Sequence, residues 1–168
     1  CIRDSSWSHY GERAKLTGLA LHTLGLEKGN VVSIASEGNP EWLYTDMGTI
    51  GAGGISSGVY TTDSAAQVKY LVNDSATKFY FAENEEQLDK ILEVRSECPT
   101  LKKIIVYDME GLNDFHDDQV ISHEEFLKIG EKTHQENPDL WESLVNNVSP
   151  DDIAILVYTS GTTGPSKG

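Results

Sequence analysis

The sequence predicts an α/β fold in which a mostly parallel sheet carries helices on both faces. Short apolar, β-branched segments alternate along the chain with amphipathic segments of helical length. The segment 153–158 is apolar at every position, which is typical of a strand buried on both faces. This alternation implies right-handed crossovers between parallel strands. With 168 residues, the chain is long enough to form the core of one ordinary domain.

The first third of the chain predicts a helix, a strand and a second helix. Apolar residues recur at helical spacing over residues 7–24, and Gly25 follows where a helix would end. Residues 31–35 are β-branched and bounded by turn residues, so they predict a strand. Asn39 is a favourable N-cap and Pro40 fits the first helical turn, so a helix is expected to run to the glycine pair at 53–54.

The same alternation continues through the middle of the chain. A strand is predicted over residues 55–60, and Ser64 with Gln67 forms a capping-box pattern that begins the next helix. Residues 78–82 predict another strand. Residues 85–97 predict a helix with one apolar side, which ends before Pro99.

The last third of the chain predicts two strands, an acidic loop and two helices. Residues 103–107 predict a strand, and the acidic segment 108–119 predicts a surface loop. Ser122 and Glu125 repeat the capping-box pattern and begin a helix that is expected to end near Thr133. A short helix over 138–145 and the apolar strand 153–158 complete the predicted elements.

Charge and composition exclude several functional classes. Lys and Arg number 13 against 27 Asp and Glu, and the formal net charge of -14 argues against a nucleic-acid-binding protein. No apolar run approaches the length of a membrane-spanning helix, so membrane association is not encoded in this segment. Cys1 and Cys98 match no disulfide or thiolate metal pattern, and we expect a cytoplasmic protein.

Other candidate sites in the chain have structural interpretations. The five histidines lack metal-ligand spacing, so we interpret them as surface or core residues. The acidic group at 114–118 is interpreted as a solvated loop rather than a cation site. Trp42 and Tyr44 lie on an amphipathic helix, so we expect them to pack in the protein rather than to form an aromatic ligand cage.

The motif that carries chemistry follows the last predicted strand. Its glycines let backbone N–H groups approach an anion, its hydroxyl groups add donors, and Lys167 is the only Lys or Arg after Thr133. Composition alone is typical of a flexible tail, but the position after an apolar strand favours a phosphate site. The spacing is not that of a Walker loop. The predicted phosphate-binding residues are Thr159, Ser160, Gly161, Thr162, Thr163, Gly164 and Lys167.

Residues 158–168, YTSGTTGPSKG, resemble the signature loop of the adenylate-forming superfamily, which includes acyl-CoA synthetases, luciferases and peptide-synthetase adenylation domains. Ser166 stands where that family usually has Pro. A weaker similarity to the family's first domain covers nearly the whole chain and includes LGLEKGNVV at 24–32. The sequence VYTT at 59–62 looks most like long-chain fatty acid CoA ligases.

The resemblance implies that residues 1–168 are part of the large amino-terminal AMP-binding domain of an acyl-CoA synthetase-like fold, which we expect to continue after the phosphate loop. It implies an enzyme that uses ATP and Mg²⁺ to convert a fatty acid to an acyl-adenylate, and then transfers the acyl group to coenzyme A. The implied adenine pocket, magnesium-binding Glu and catalytic Lys would lie beyond Gly168. We therefore assign no catalytic residue to this chain and expect the segment alone to be inactive.

Two alternatives stay open at this point. Another adenylating enzyme, which activates an amino or aryl acid, would share the same phosphate loop. A catalytically silent nucleotide-binding module would keep the fold without the reaction. The expected substrates are small molecules (a fatty acid, ATP and coenzyme A), and the expected location is the cytoplasm, with peripheral membrane attachment left open.

Overall fold

The computed structural model describes residues 5–159 and 168. Helices and strands alternate in this part of the chain as the sequence predicts. The elements are α1 (Trp7–Thr23), β1 (Val31–Ala35), α2 (Pro40–Gly51), β2 (Ile55–Val59), α3 (Ala65–Asp74), β3 (Phe79–Ala82), α4 (Glu85–Val94), a 3₁₀ turn (Arg95–Glu97), β4 (Lys103–Val106), β5 (Val120–Ser122), α5 (His123–Glu136), α6 (Leu140–Asn146) and β6 (Ile155–Leu156).

The strands form a six-stranded sheet in the order β5-β4-β3-β1-β2-β6. Every neighbouring pair is parallel, which confirms the predicted α/β class. β1 occupies an inner position, with Val31 opposite Ile55 of β2 and Val32 opposite Phe79 of β3. All five residues of β1 are buried, because it is covered on both faces and paired along both edges.

Helices cover both faces of the sheet and separate the core into two layers. Alternate residues of each strand point to opposite faces, so successive side chains contribute to different layers. One layer packs α3 and α4, with Ile91, against Tyr80. The other packs α1 and α5, through Ala20 and Phe126, against Phe81. The helix α2 lies on the side of α1 and α5 and contributes Trp42 to their layer.

The N-terminal caps that the sequence predicts are present. Ser64 Oγ accepts from the Gln67 N–H at 3.4 Å, and the Ser64 N–H donates to Gln67 Oε1 at 2.9 Å. Ser122 and Glu125 make the same reciprocal pair at 3.2 and 3.0 Å. Asn39 Oδ1 accepts from the backbone N–H at the third position of α2 at 2.9 Å. These caps fix where three helices leave the carboxyl edge of the sheet.

Two glycines allow the helices on one face to pack closely. A Cβ atom at Gly48 of α2 would lie 2.6 Å from the carbonyl oxygen of Ala14 in α1. A Cβ atom at Gly130 of α5 would lie 2.1 Å from the carbonyl oxygen of Leu16. Both distances are too short for a side chain, so α2 and α5 approach the backbone of α1 through positions that only glycine can occupy.

The prediction of a doubly buried strand over 153–158 is wrong for the described residues. β6 is only Ile155–Leu156 and lies at the edge of the sheet, where it pairs with β2 alone. Ile153, Ile155 and Val157 are 66%, 52% and 63% exposed, because one face of the strand has no cover in the described part of the chain. An all-apolar sequence does not reveal whether a strand lies at the centre or the edge of a sheet.

The acidic loop also differs in part from the prediction. Residues 108–119 are irregular, as expected, but Leu112 is buried, and Met109 and Phe115 pack against the core layer of α3 and α4. The sequence analysis missed β5, which follows this loop and pairs in parallel with β4. Its three residues are too few to show a recognisable strand pattern.

The structure gives no candidate for a membrane-spanning helix within residues 5–159. None of the helices found there combines the length and the apolar character that crossing a bilayer requires.

Tyr80, which is buried, and Tyr107, which is partly buried, allow a test of hydrogen bonding in the core. The Tyr107 hydroxyl lies 2.7 Å from Thr45 Oγ1, whereas the Tyr80 hydroxyl has no hydrogen-bond partner among the described residues. We expect Tyr107→Phe to lower the free energy of unfolding by about 1 kcal/mol, because it breaks a shielded hydrogen bond. Tyr80→Phe should leave this free energy unchanged or raise it by up to about 1 kcal/mol. Denaturant unfolding measures both values, and a greater loss for Tyr80→Phe would contradict this account.

Candidate functional site

The strand order creates a crevice at the carboxyl end of β1. The chain leaves β1 towards the face that carries α2, whereas it leaves β2 and β3 towards the opposite face, which carries α3 and α4. The loops therefore diverge on either side of β1. In open α/β sheets, ligands bind at such a switch point, so this edge is the candidate functional site.

Polar side chains from three loops meet in this crevice. Glu37 follows β1, Thr61 follows β2 and Glu83 follows β3. The Thr61 hydroxyl donates to the Glu37 carboxylate, and the Glu37 N–H donates to Glu83 Oε2 at 2.7 Å. These bonds connect the ends of all three strands, so the crevice is shaped before any ligand binds.

Lys90 of α4 supplies a positive charge to the same crevice. Its ammonium group donates to the carbonyl oxygen of Thr61 at 2.6 Å and lies 3.2 Å from Glu86 Oε1. The Gln87 amide donates to the same carbonyl oxygen at 3.2 Å. The crevice residues line an open cavity of about 450 Å³, which is large enough for a small polar group.

β6 pairs with β2 and precedes the predicted phosphate-binding residues in the sequence. Leu156 of β6 lies opposite Ser57 of β2 in parallel register, so the carboxyl ends of both strands lie at the same edge of the sheet, and Thr159 follows Leu156 by three residues. Thr159 is exposed. The other predicted phosphate-binding residues, Ser160, Gly161, Thr162, Thr163, Gly164 and Lys167, lie outside the described residues.

A comparison with protein families identifies the family of this chain. Residues 2–168 match the family model described as AMP-binding enzyme. The chain belongs to the AMP-binding enzyme family. This match confirms the family that the TSGTTGPSKG motif indicates, and it extends over the residues that form the sheet, the crevice and β6.

Curated relatives of this AMP-binding chain are named as long-chain-fatty-acid–CoA ligases. The chain is 34% identical to ACSBG1 of Macaca fascicularis over 163 residues, 33% identical to ACSBG1 of Homo sapiens and 34% identical to ACSBG2 of Xenopus laevis. Each match covers 97% of this chain but only 21–22% of the relative. The chain therefore spans about a fifth of the length of these relatives.

Solved structures share the fold. The anthranilate CoA ligase AuaEII in complex with anthranoyl-AMP superposes with a TM-score of 0.81 at 22% identity, over 98% of this chain and 29% of that one. A Mycobacterium tuberculosis fatty acyl CoA synthetase gives 0.67 at 17% identity, over 93% and 27%. At these identities the likeness shows the fold alone, and it confirms the predicted α/β architecture.

A second cavity, with both polar and apolar lining residues, lies between α1, α2 and α5. It encloses about 1,020 Å³, and Arg13, Glu41, Tyr107 and His123 are among its lining residues. The His123 ring lies with its centroid 5.1 Å from that of Tyr107, and its Nε2 has no hydrogen-bond partner in the described part of the chain. Burial lowers the pKa of His123 to about 4; Glu41 opposes this decrease and Arg13 adds to it.

The sequence analysis did not identify the crevice residues Glu37, Thr61, Glu83 and Lys90. A usable signal exists, because the first three closely follow predicted strands and the carboxyl ends of parallel strands meet at one edge. Read singly, however, they look like turn and cap residues. They contact one another only after the chain has folded, and their separation along the sequence hides that contact.

The structure also reports on the other candidate sites. Trp42 packs against the core and Tyr44 is buried, which confirms their predicted structural role. Asp117 of the acidic loop pairs with Arg95 at 2.7 Å, and this hydrogen bond lowers the pKa of the Asp117 carboxyl group. Within residues 5–159, no three His, Cys, Asp or Glu side chains are grouped as a metal site.

The buried imidazole predicts a pH dependence of stability. An unfolded histidine binds a proton at about pH 6.5, but His123 in the fold resists protonation until about pH 4. Between these values the unfolded state binds more protons, so the free energy of unfolding falls as the pH falls, by up to about 3 kcal/mol from this residue. Above pH 6.5 this contribution to the pH dependence vanishes, because His123 is then neutral in both states.

Unfolding curves measured between pH 7 and pH 4 would test this pH dependence. We expect His123→Gln to show a smaller loss of stability over the interval than the unsubstituted protein. The exposed His22→Gln variant controls for the removal of an imidazole from the surface. An unchanged slope in His123→Gln would show that other groups produce the acid sensitivity.

Proposed function

We propose that the protein containing this chain is an AMP-forming acyl-CoA ligase. In this reaction a fatty-acid carboxylate attacks the α-phosphate of ATP, and the resulting acyl-adenylate then passes its acyl group to the thiol of coenzyme A. Membership of the AMP-binding enzyme family supports adenylate chemistry. The printed names of the ACSBG relatives support a long-chain fatty acid as the acid substrate.

The observation that carries the proposal is the parallel pairing of β6 with β2. It places the carboxyl end of β6, which Thr159 follows by three residues, at the edge of the sheet where the switch-point crevice opens. The TSGTTGPSKG segment therefore follows a strand that ends at the same edge of the sheet as the polar cavity. A hydroxyl- and glycine-rich segment that starts there is suited to surround the phosphates of a nucleotide.

The charges along this edge favour two separate binding regions, one for the triphosphate and one for a less highly charged group. Glu37 and Glu83 make the crevice between β1 and β3 unfavourable for a triphosphate, because like charges repel at short range. The segment after β6 has hydroxyl donors and Lys167 without an acidic residue. We propose that the triphosphate binds on the β6 side, and that the crevice at Lys90 and Thr61 binds a less highly charged part of a substrate.

Thr159, Ser160, Gly161, Thr162, Thr163, Gly164 and Lys167 would then hold the phosphates. Charge develops on pyrophosphate as it leaves, and donors that are already oriented stabilise that charge without reorganising solvent. Magnesium would enter with ATP as its counter-ion. The steps assigned to this chain use its hydrogen-bond donors and its ammonium group.

The location and the chemical class of the acid belong to the same proposal. A cytoplasmic enzyme has access to ATP and coenzyme A, which fits the reaction. An amino or aryl acid remains the competing substrate class, since one structural neighbour is named as an anthranilate CoA ligase. A panel of long-chain fatty acids, anthranilate and amino acids in an ATP–pyrophosphate exchange assay separates the classes, and exchange with none of them would overturn the proposal.

Lys167 is the residue whose loss should affect adenylation most directly. In the full-length protein we expect Lys167→Ala to slow fatty-acid-dependent ATP–pyrophosphate exchange by roughly 100-fold, the scale for removing one charge-stabilising donor. Binding of the fatty acid, measured separately, should change little. Unaltered exchange kinetics would remove Lys167 from the phosphate site.

The matched control is Lys132→Ala. Lys132 is largely exposed on α5 and lies 3.9 Å from Glu136, so its substitution also removes one positive charge from the protein. We expect its exchange rate to match that of the unsubstituted protein. An equal loss in both variants would indicate a general effect of net charge instead of a local contact.

A further inference from the structure

The chain segment that leads into the predicted phosphate loop is weakly held by the sheet. β6 contributes two residues and pairs along one edge only, with Ser56 and Ser57 of β2. Ile155 and Val157 are exposed on its outer side. So short a ladder fixes the direction of the strand, but it leaves the point where the chain leaves the sheet to be set by other contacts.

Tyr158 makes such a contact immediately before Thr159. It is 6% exposed, in contrast to its neighbours, and belongs to the core layer that contains Val59 and Leu71. Its hydroxyl donates to Asp74 Oδ2 at 2.7 Å. The bond joins the last residue before the predicted loop to the last residue of α3, across 84 positions of sequence.

The end of α3 is itself anchored to the middle of the sheet by hydroxyl groups. Ser75 Oγ donates to the Leu71 carbonyl oxygen at 2.7 Å and lies 2.7 Å from Thr77 Oγ1. Thr77 Oγ1 lies 2.7 Å from Ser33 Oγ in β1, and both of these residues are buried. A connected, satisfied network of this kind is rigid. Asp74, which is itself exposed, therefore directly precedes an anchored residue.

The chemistry of the pair suits a permanent tether. Burial raises the pKa of the Tyr158 hydroxyl, and the hydrogen bond to Asp74 raises it further. The hydroxyl therefore keeps its proton and remains a donor. A bond from a hydroxyl to a carboxylate is stronger and more directional than one between neutral groups. Any acceptor would satisfy the buried hydroxyl, but a charged one also restricts where the ring lies.

We propose that Asp74 is a positioning residue for the phosphate loop, and that it acts by holding Tyr158 at the start of that loop. This inference rests on the proposed function, because it assigns the tether to the ATP-binding step. The tether sets the position and direction in which the chain leaves the sheet at Thr159, so that the hydrogen-bond donors after Thr159 reach the phosphates. Asp74 itself, at the far end of the tyrosine side chain, contacts no substrate in this scheme.

The full-length protein with Asp74→Ala, Asp74→Asn and Tyr158→Phe provides the test. In acid-dependent ATP–pyrophosphate exchange we expect Asp74→Ala and Tyr158→Phe each to raise the KM for ATP about tenfold. The KM for the fatty acid should stay within about twofold, since the tether does not act on the acid. Asp74→Asn, which keeps an acceptor oxygen, should recover part of the loss.

A double substitution distinguishes a shared contact from two separate ones. Asp74→Ala combined with Tyr158→Phe should be no worse than the more affected single variant, because both remove the same bond. Asp89→Asn on α4 and Tyr80→Phe in the sheet are matched controls for the loss of an exposed acid and of a buried tyrosine hydroxyl. We expect both to keep the KM for ATP of the unsubstituted protein.

A second measurement does not depend on activity. Amide hydrogen exchange in the segment that begins at Thr159 should rise several-fold in Asp74→Ala relative to the unsubstituted protein, and should not rise in Asp89→Asn. If amide hydrogen exchange rises in Asp74→Ala but the unsubstituted protein shows no acid-dependent use of ATP, the tether is retained and the proposed function is rejected. If Asp74→Ala lowers thermal stability but leaves amide hydrogen exchange and the KM for ATP unchanged, the positioning role is rejected.

Discussion

The handedness of the crossovers is the constraint from which the functional edge follows. β1 continues to β2 on one side, and the chain then returns past β1 to place β3 on the other side. Because parallel crossovers are right-handed, this reversal places α2 on one face and α3 and α4 on the opposite face. The loops must separate around β1, and the crevice is the space that their separation leaves. No individual side chain is needed to open it.

Close packing of helices on one face and hydrogen bonding at the carboxyl edge determine the positions of the loops at this edge. Gly48 and Gly130 let α2 and α5 approach the backbone of α1, which sets how close those helices lie to it. The caps at Asn39 and Ser122 end the preceding loops at defined residues. Helix packing and helix capping therefore both contribute to the positions of the loops at this edge.

Sequence rules predicted the elements whose signals are local. The capping boxes at Ser64 and Ser122 each lie within four consecutive residues, and the structure has both. β5 was missed because its strand character comes from pairing with β4, which no local pattern contains. The error over 153–158 has the same origin, since burial depends on what neighbours a strand. The crevice residues Glu37 and Glu83 were missed because their contact depends on the reversal at β1.

The first position of the YTSGTTGPSKG motif gains a physical explanation from the structure. A loop of small and hydroxyl-bearing residues has little apolar surface with which to attach itself to a domain, and β6 pairs with the sheet over only two residues. Tyr158 supplies the attachment that the loop and β6 lack, because its ring enters the core while its hydroxyl binds Asp74. A residue with an apolar body and a polar tip can satisfy both environments at once. Aliphatic residues would bury the same surface but could not be oriented by Asp74, so the aromatic residue joins the hydrophobic core to the polar segment that follows it.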